Sequence, residues 1–450
     1  MRWAELEGKR VAVWGFGREG RAALDVMARR LPGQAIDLYV TADEATAARA
    51  AYPHVSVIDT APDGAALSRY DIVVKSPGIS AYKPEVLDAQ AAGTRFTSGT
   101  ALWFGGHAGA RSVAVTGTKG KSTTSALLAH LARSLGVRTA LVGNIGMPLL
   151  ELDEREADLW VIELSSFQTG EALGVDLGVV TSLYEEHLDW HSSRERYVDD
   201  KLKLMAASSR VLVNAMQPVL LARASEHPGL HTFGDEAGWH VADGWIRRGV
   251  EDVIPAARVA APGLHNAINA CAALAALELM GHDARAAAPA LATFAPLPHR
   301  LQPLGERGGL RWVNDSISTT PLASLAALES VHDEHVALIV GGHDRGLDWT
   351  VFVDAMRAGA PDAIVCQGKS GPRIADALEA AGVANVYRAT DLAAAVGAVR
   401  SALPGRGTVV LSPGAPSFDQ FRDYAERGKR FAELAGFEAK AASIQGLGIA

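Results

Sequence analysis

Residues 113–124 read Val-Ala-Val-Thr-Gly-Thr-Lys-Gly-Lys-Ser-Thr-Thr. The apolar run Val113 to Val115 predicts a buried strand. Gly117 and Gly120 free the backbone to turn, and Lys121-Ser122-Thr123 opens an alanine- and leucine-rich helix. Glycines let backbone N–H groups point at an anion, the helix N-terminus adds partial positive charge, and lysine supplies a full one. This order of features predicts a phosphate cradle, with the Ser122 hydroxyl placed to reach a phosphate-bound Mg²⁺. The loop is shortened. The commonest phosphate loop carries a glycine five residues before Gly120, where this chain has Val115; the nearest glycine is Gly117. A surface turn that happens to carry lysine is the bland alternative, and the intact order of strand, glycines, Gly-Lys-Ser and helix argues against it.

Outward from that loop, 450 residues are too many for one ordinary core and suggest roughly three domains. Apolar residues make up 48% and charged residues 21%, as in a globular protein. No apolar run approaches the ~18 residues that a membrane span needs, and no leader-like stretch opens the chain. Cys271 and Cys366 form no ligand or redox spacing, which fits a reducing cytoplasm. A formal charge of −8 argues against a protein that coats nucleic acid. A monomer is the default expectation.

Residues 10–20 predict a strand followed by Gly15-x-Gly17-x-x-Gly20 and a helix, a dinucleotide fingerprint. Asp37 lies near the distance expected of a ribose-binding acid. Ser76-Pro77-Gly78 and Ser98-Gly99-Thr100 end two further apolar segments. Strand-end turns of this kind are where open α/β sheets bind ligands. Gly105-Gly106-His107-Ala108-Gly109 reads as a linker. Beyond the phosphate loop, Asn144 follows another glycine-bounded strand end. Glu163 tips an apolar strand, where a carboxylate is poorly solvated unless it meets a cation, so Mg²⁺ is a natural partner and an ion pair the alternative. Tyr184 to His191 gathers acids and histidines, of which His187 is a candidate ligand of an oxygen-rich site. The spacing 194–207 predicts a helix carrying Lys201 and Lys203. Gly263 opens a long alanine-rich helix with Asn266 and Asn269 on one face. Pro296-Leu-Pro298-His299-Arg300 marks a second boundary. Strands over 311–313, 336–340, 363–366 and 408–411 then predict a third sheet, with a weakly ordered tail after about Gly436. The fold class is α/β: a Rossmann-like domain over 1–106, a doubly wound phosphate-loop domain over 107–297, and a Rossmann-like domain over 298–450.

By this point the chain resembles the Mur ligases, ATP-dependent enzymes that extend the peptide of peptidoglycan precursors, over about residues 8–435. The resemblance implies that Gly117, Thr118, Lys119, Gly120, Lys121, Ser122 and Thr123 form the ATP loop, with Asn269, Arg300 and Asp315 also holding ATP. It implies Mg²⁺ on Ser122, Glu163, His187 and a carbamylated Lys201, with Lys121, Lys201 and His187 as catalytic residues. Gly17, Arg18, Ser76 and Gly78 would meet the UDP-sugar end of the precursor, and Asn144 and Ser165 its acyl end. Thr319, Arg345, Ser417 and Tyr424 would meet the acceptor amino acid.

Within the family the resemblance is to the members that join glutamate to UDP-N-acetylmuramoyl-L-alanine. The D-glutamate enzymes usually have lysine after Asn-Asp-Ser, and here the residue is Ile317; their Gly-Gly-Asp-x-Lys is Gly341-Gly342-His343-Asp344-Arg345. Losing a cation at 317 changes how a dicarboxylate can be gripped, so the L-glutamate branch is expected, with D-glutamate as the alternative. The implied chemistry activates the precursor carboxylate as an acyl phosphate, which closure of the third domain would shield from water. A nicotinamide-dependent oxidoreductase built on Gly15 to Gly20 is a rival of another class, but it leaves Lys121 and Glu163 without a task.

Overall fold

The computed structural model describes the chain except for residues 184–193, 261–262, 296, 332, 345, 404 and 439–445. It divides into two compact units, Met1–Ala295 with Gly446–Ala450, and Pro296–Gln445. In the first unit, β1 (Val11–Trp14), β2 (Ile36–Tyr39), β3 (Ser56–Ile58), β4 (Ile72–Lys75) and β5 (Arg95–Thr97) form a parallel sheet in the order β3-β2-β1-β4-β5. The order reverses between β1 and β4, and at such a reversal the C-terminal strand ends open a crevice. The turns at Gly15 and Ser76 flank that point, and the Ser76 amide donates to the Trp14 carbonyl at 3.0 Å.

The same unit holds β6 (Ser112–Thr116), β7 (Thr139–Gly143), β8 (Leu159–Glu163), β9 (Val175–Val180), β10 (Ser208–Asn214) and β11 (Leu230–Phe233), parallel in the order β11-β10-β9-β6-β8-β7. β6, β7 and β8 are buried along their whole length, as parallel strands covered on both faces must be. The strand expected at 113–115 is thus central, and its end, with those of β8 and β9, forms one edge.

Three features depart from expectation. First, Gly105 and Gly106 end a packed helix, Gly99–Gly106, instead of starting a loose linker. Trp103 is fully buried and packs on Trp160 of β8 at 4.7 Å, and a Cβ at Gly105 would come within 1.9 Å of the Met1 carbonyl oxygen. Gly105 thus serves close approach of backbone, while Gly106 borders the Trp3 side chain. Second, β12 (Trp239–Ala242), β13 (Trp245–Arg248) and β14 (Glu251–Pro255) form a small antiparallel sheet that the sequence reading omitted. Its signal was the Asp243-Gly244 pair, whose φ values of 50° and 77° suit a tight hairpin.

The second unit holds β15 (Gln302–Arg307), β16 (Leu310–Asn314), β17 (Val336–Val340), β18 (Ala363–Gln367), β19 (Val386–Ala389) and β20 (Gly407–Leu411), in the order β15-β16-β20-β17-β18-β19. Only β15 runs antiparallel. The third departure is the tail. Gly448–Ile449 forms β21, antiparallel on β7 in the first unit, and the Arg133 guanidinium donates to the carbonyls of Gly446 and Gly448. The open edge of β7 offered unpaired backbone groups, and the last residues take them. No described helix is long and apolar enough to cross a membrane.

Candidate functional site

The phosphate loop is held open by its neighbours. Gly117 and Gly120 have φ of 144° and 84°, and a Cβ at Gly120 would lie 2.4 Å from Asn269 Oδ1, so the amide of helix Leu264–Leu279 rests directly on the loop. The end of β9 laces the other side: the Thr118 amide donates to the Ser182 carbonyl at 2.8 Å and the Lys119 amide to Ser182 Oγ at 2.7 Å. Ser122 and Thr123 lie buried in the first turn of helix Lys121–Ser134. Lys121 Nζ folds back on its own loop, donating to the carbonyls of Gly117 at 2.8 Å and Thr118 at 3.0 Å.

Glu163, last residue of β8, is 1% exposed; Oε1 accepts the Asn144 amide at 2.9 Å, while Oε2 is buried with no hydrogen-bond partner. A buried carboxylate oxygen left unpaired is costly, and a hard oxygen donor in that state suits a divalent cation. Lys201, on helix Arg194–Ala206, is also buried, and its Nζ donates to the Gly117 carbonyl at 3.0 Å. One turn earlier, Tyr197 hydrogen-bonds Thr118 Oγ1 at 2.8 Å, and Lys201 Nζ lies 4.9 Å from its ring centre. The sequence reading missed Tyr197, although its spacing of four from Lys201 puts both on one helical face. His187 lies outside the described residues. Ser165 Oγ donates to Gln168 Oε1 at 2.9 Å, just past the end of β8.

At the first sheet's crevice, Gly17 caps helix Arg18–Arg30, and Gly17 and Gly78 both face open space. Ser76 Oγ is buried without a partner, under Gly15. Arg18 reaches the Gly146 carbonyl at 2.8 Å, tying this turn to the one that carries Asn144. Asp37, read from the sequence as a ribose-binding acid, sits inside β2 and accepts the Tyr70 phenol at 2.7 Å. Tyr82 donates to both oxygens of Asp200, next to Lys201, and so links the Ser76 loop to that helix.

Two carboxyls gather at the N-terminus of helix Gly99–Gly106. Glu171 accepts the Ser98 hydroxyl at 2.5 Å, and Glu19 lies against Gly99. Burial pushes Glu19 up to about 7, reinforced by Glu171 and Glu151; burial pushes Glu171 up to about 7 against the pull of Ser98 and Lys75. Unfolded, both carboxyls release their protons near 4.5. Between these values the folded chain binds more protons than the unfolded one, so their contribution to stability is lost as pH rises through that window and levels off above it. The melting temperature of Glu171→Gln should therefore fall less between about pH 5 and about pH 7.5 than that of the unsubstituted protein. Identical slopes in a pH series of thermal melts would discard this account.

In the second unit, His299 and Leu301 have φ of 61° and 44°, a conformation that non-glycine residues hold only when their surroundings impose it. They bracket Arg300. The turn is pinned by Asp315, whose Oδ1 accepts the Leu301 amide at 3.0 Å and whose Oδ2 accepts Ser412 Oγ at 2.8 Å. Asp315 follows β16, beside the ends of β20 and β17, where the strand order reverses. Along that edge Ser417 is buried, Thr319 exposed, and Tyr424 opens helix Tyr424–Ala435 with its ring 6.1 Å from His299. Arg345 lies outside the described residues. Ser318 Oγ, Thr320 Oγ1 and His343 Nδ1, all near this edge, are buried without partners, as is Nη1 of Arg427, which the sequence reading also missed.

Known proteins share both sequence and fold with this chain. Residues 115–277 match the Mur ligase middle domain, and residues 299–415 match the Mur ligase glutamate ligase domain. A UDP-N-acetylmuramoyl-L-alanine–L-glutamate ligase of Xanthomonas euvesicatoria pv. vesicatoria is 50% identical, with 100% of both chains covered. Among solved structures, the UDP-N-acetylmuramate–alanine ligase MurC of Thermotoga maritima aligns with a TM-score of 0.59 at 19% identity, over 94% of this chain and 98% of that one. MurF ligase from Thermotoga maritima in complex with ADP aligns with a TM-score of 0.59 at 16% identity, over 98% and 97%. These two show the shared fold, and the full-length relative at half identity shows more: this chain belongs to the Mur ligase family.

Proposed function

We propose that the protein is an ATP-dependent ligase that joins L-glutamate to UDP-N-acetylmuramoyl-L-alanine in peptidoglycan precursor synthesis. The observation that carries this reading is the pairing, on one sheet edge, of the Lys121 loop with the unpaired oxygen of Glu163. Domains 1–106, 107–297 and 298–450 would receive the precursor, ATP and glutamate in turn.

A carboxylate attacking the γ-phosphate of ATP meets a polyanion, so the reaction needs charge neutralised where the two approach. Lys121 supplies one full charge, released from its loop carbonyls when phosphate oxygens take their place. Mg²⁺, when bound, neutralises more; Glu163, Ser122, His187 and a carbamate on Lys201 would hold it. Carbamylation turns that buried lysine from a repelling cation into an oxygen donor. Asn269, resting on Gly120, and Arg300 with Asp315 are assigned to the nucleotide. Gly17, Arg18, Ser76 and Gly78 are assigned to the UDP end, and Asn144 and Ser165 to the alanyl carboxylate. Attack of the alanyl carboxylate on the γ-phosphorus would break its bond to ADP and give an acyl phosphate; the glutamate amine, placed by Thr319, Arg345, Ser417 and Tyr424, then attacks the acyl carbon, gives up a proton, and inorganic phosphate leaves.

L-glutamate is favoured over D-glutamate by Ile317 and by the half-identical relative named for the L form. The test is ATP-dependent phosphate release with the precursor, Mg²⁺ and either enantiomer, with product mass determined. Product with L-glutamate alone is expected. Product with D-glutamate alone would overturn the stereochemical assignment and leave the ligase standing.

A further inference from the structure

The second unit contains a cation that the proposed reaction does not yet use. Arg427, fourth residue of helix Tyr424–Ala435, is 1% exposed. Its Nε donates to Ser316 Oγ at 3.0 Å, and its Nη2 to the carbonyls of Ser316 at 2.8 Å and Ala415 at 3.0 Å. Nη1 has no partner and lies against Gly342, where a Cβ would approach it to 2.9 Å. One guanidinium thus sits under the loops that end β16, β17 and β20. Among the described residues no carboxylate is ion-paired with it. Asp315 and Asp419 act on it only through space, and burial pushes it down to about 10, still charged at neutral pH.

A buried charge surrounded by neutral oxygens, with both N–H bonds of Nη1 unused, is expensive to keep. In that low-dielectric setting its field reaches further than a surface charge would. Its loops are also where Ser318, Thr320 and His343 keep buried polar atoms unpaired, and Ser417 follows Ala415 by two residues. A negatively charged ligand over these loops would answer the charge and offer acceptors to those donors.

We infer that Arg427 is the positioning residue that holds a dicarboxylate acceptor in this crevice, supplying from beneath the loops the positive charge that position 317 lacks. The inference rests on the assignment of the crevice to glutamate. Arg427 sets the spacing of Ser316 and Ala415 through its hydrogen bonds, and biases the crevice toward an acceptor with two carboxylates over one with a neutral amide.

Full-length Arg427→Met and Arg427→Lys are compared with the unsubstituted enzyme for the KM of L-glutamate, ATP and the precursor. In Arg427→Met the KM for L-glutamate should rise about 30-fold or more, with the other two within about twofold, as loss of a desolvated cation predicts. Arg427→Lys, keeping the charge without the fork, should recover part of that loss. Should Arg427→Met not fold, Ser316→Ala removes the Nε partner and keeps the charge; a glutamate KM raised by about fivefold with the others unmoved supports the inference. A second reading uses the unsubstituted enzyme, which should take L-glutamine far less well than L-glutamate. A purely structural role would move all three KM values together, or lower the melting temperature and move none; either result overturns the inference. Ligation of glutamate that is indifferent to Ser417→Ala would instead overturn the acceptor assignment, and this inference with it.

Discussion

Lys121→Ala is expected to lose ligation by at least ~10³-fold, about 4 kcal/mol of transition-state stabilisation, while melting close to the unsubstituted protein. The charge that Lys121 brings is needed only as negative oxygens converge on the γ-phosphate, so its loss falls on the reaction. The fold has little at stake, because the ammonium's bonds to Gly117 and Thr118 lie within one turn of the chain. The loop itself is held by others, through Ser182 and Asn269. Phosphate release with precursor, ATP and glutamate, beside a thermal melt, checks both halves. Normal turnover in a folded variant would refute the assignment of the loop.

Glu163→Gln should affect activity and stability in opposite directions. The substitution keeps the shape of the side chain and removes the charge of a group that is almost wholly buried and has one oxygen unpaired. Turnover should fall by ~10²-fold or more as a hard oxygen donor is lost, and the Mg²⁺ concentration for half-maximal rate should rise. The melting temperature without metal should rise, since a neutral amide costs less to bury than a carboxylate. A Mg²⁺ titration that superimposes on that of the unsubstituted enzyme would remove Glu163 from the metal site. A lowered melting temperature would mean that the carboxylate's charge strengthens its bond with Asn144 by more than burying that charge costs.

The parts of this protein that a reader could take from the chain were those built by neighbours in sequence. Strand, Gly117, Gly120, Lys121 and helix follow one another within a dozen residues, so their joint geometry is local. Glu163 at a strand tip and Asn269 at the start of an alanine-rich helix were legible for the same reason. The alternation of strands and helices set the fold class, because parallel strands need crossover helices whatever the details of packing.

What remained hidden depends on groups far apart in the chain. The glycines at 105 and 106 look like a linker in isolation, and only the fold, with the Met1 backbone packed against Gly105, shows that they close a helix. Asp37 stands at a plausible distance from the fingerprint turn, and only the fold shows that Tyr70, 33 residues away, donates to it. Nothing near Gly448 foretells the open edge of β7. Arg427 carries no signal by itself, since most arginines lie at the surface; its role emerges once the ends of three strands are brought over it. Local order thus determined which chemistry the chain could perform. Tertiary structure alone decided which polar atoms are buried without partners, because desolvation is a property of the assembled surroundings and not of any one residue.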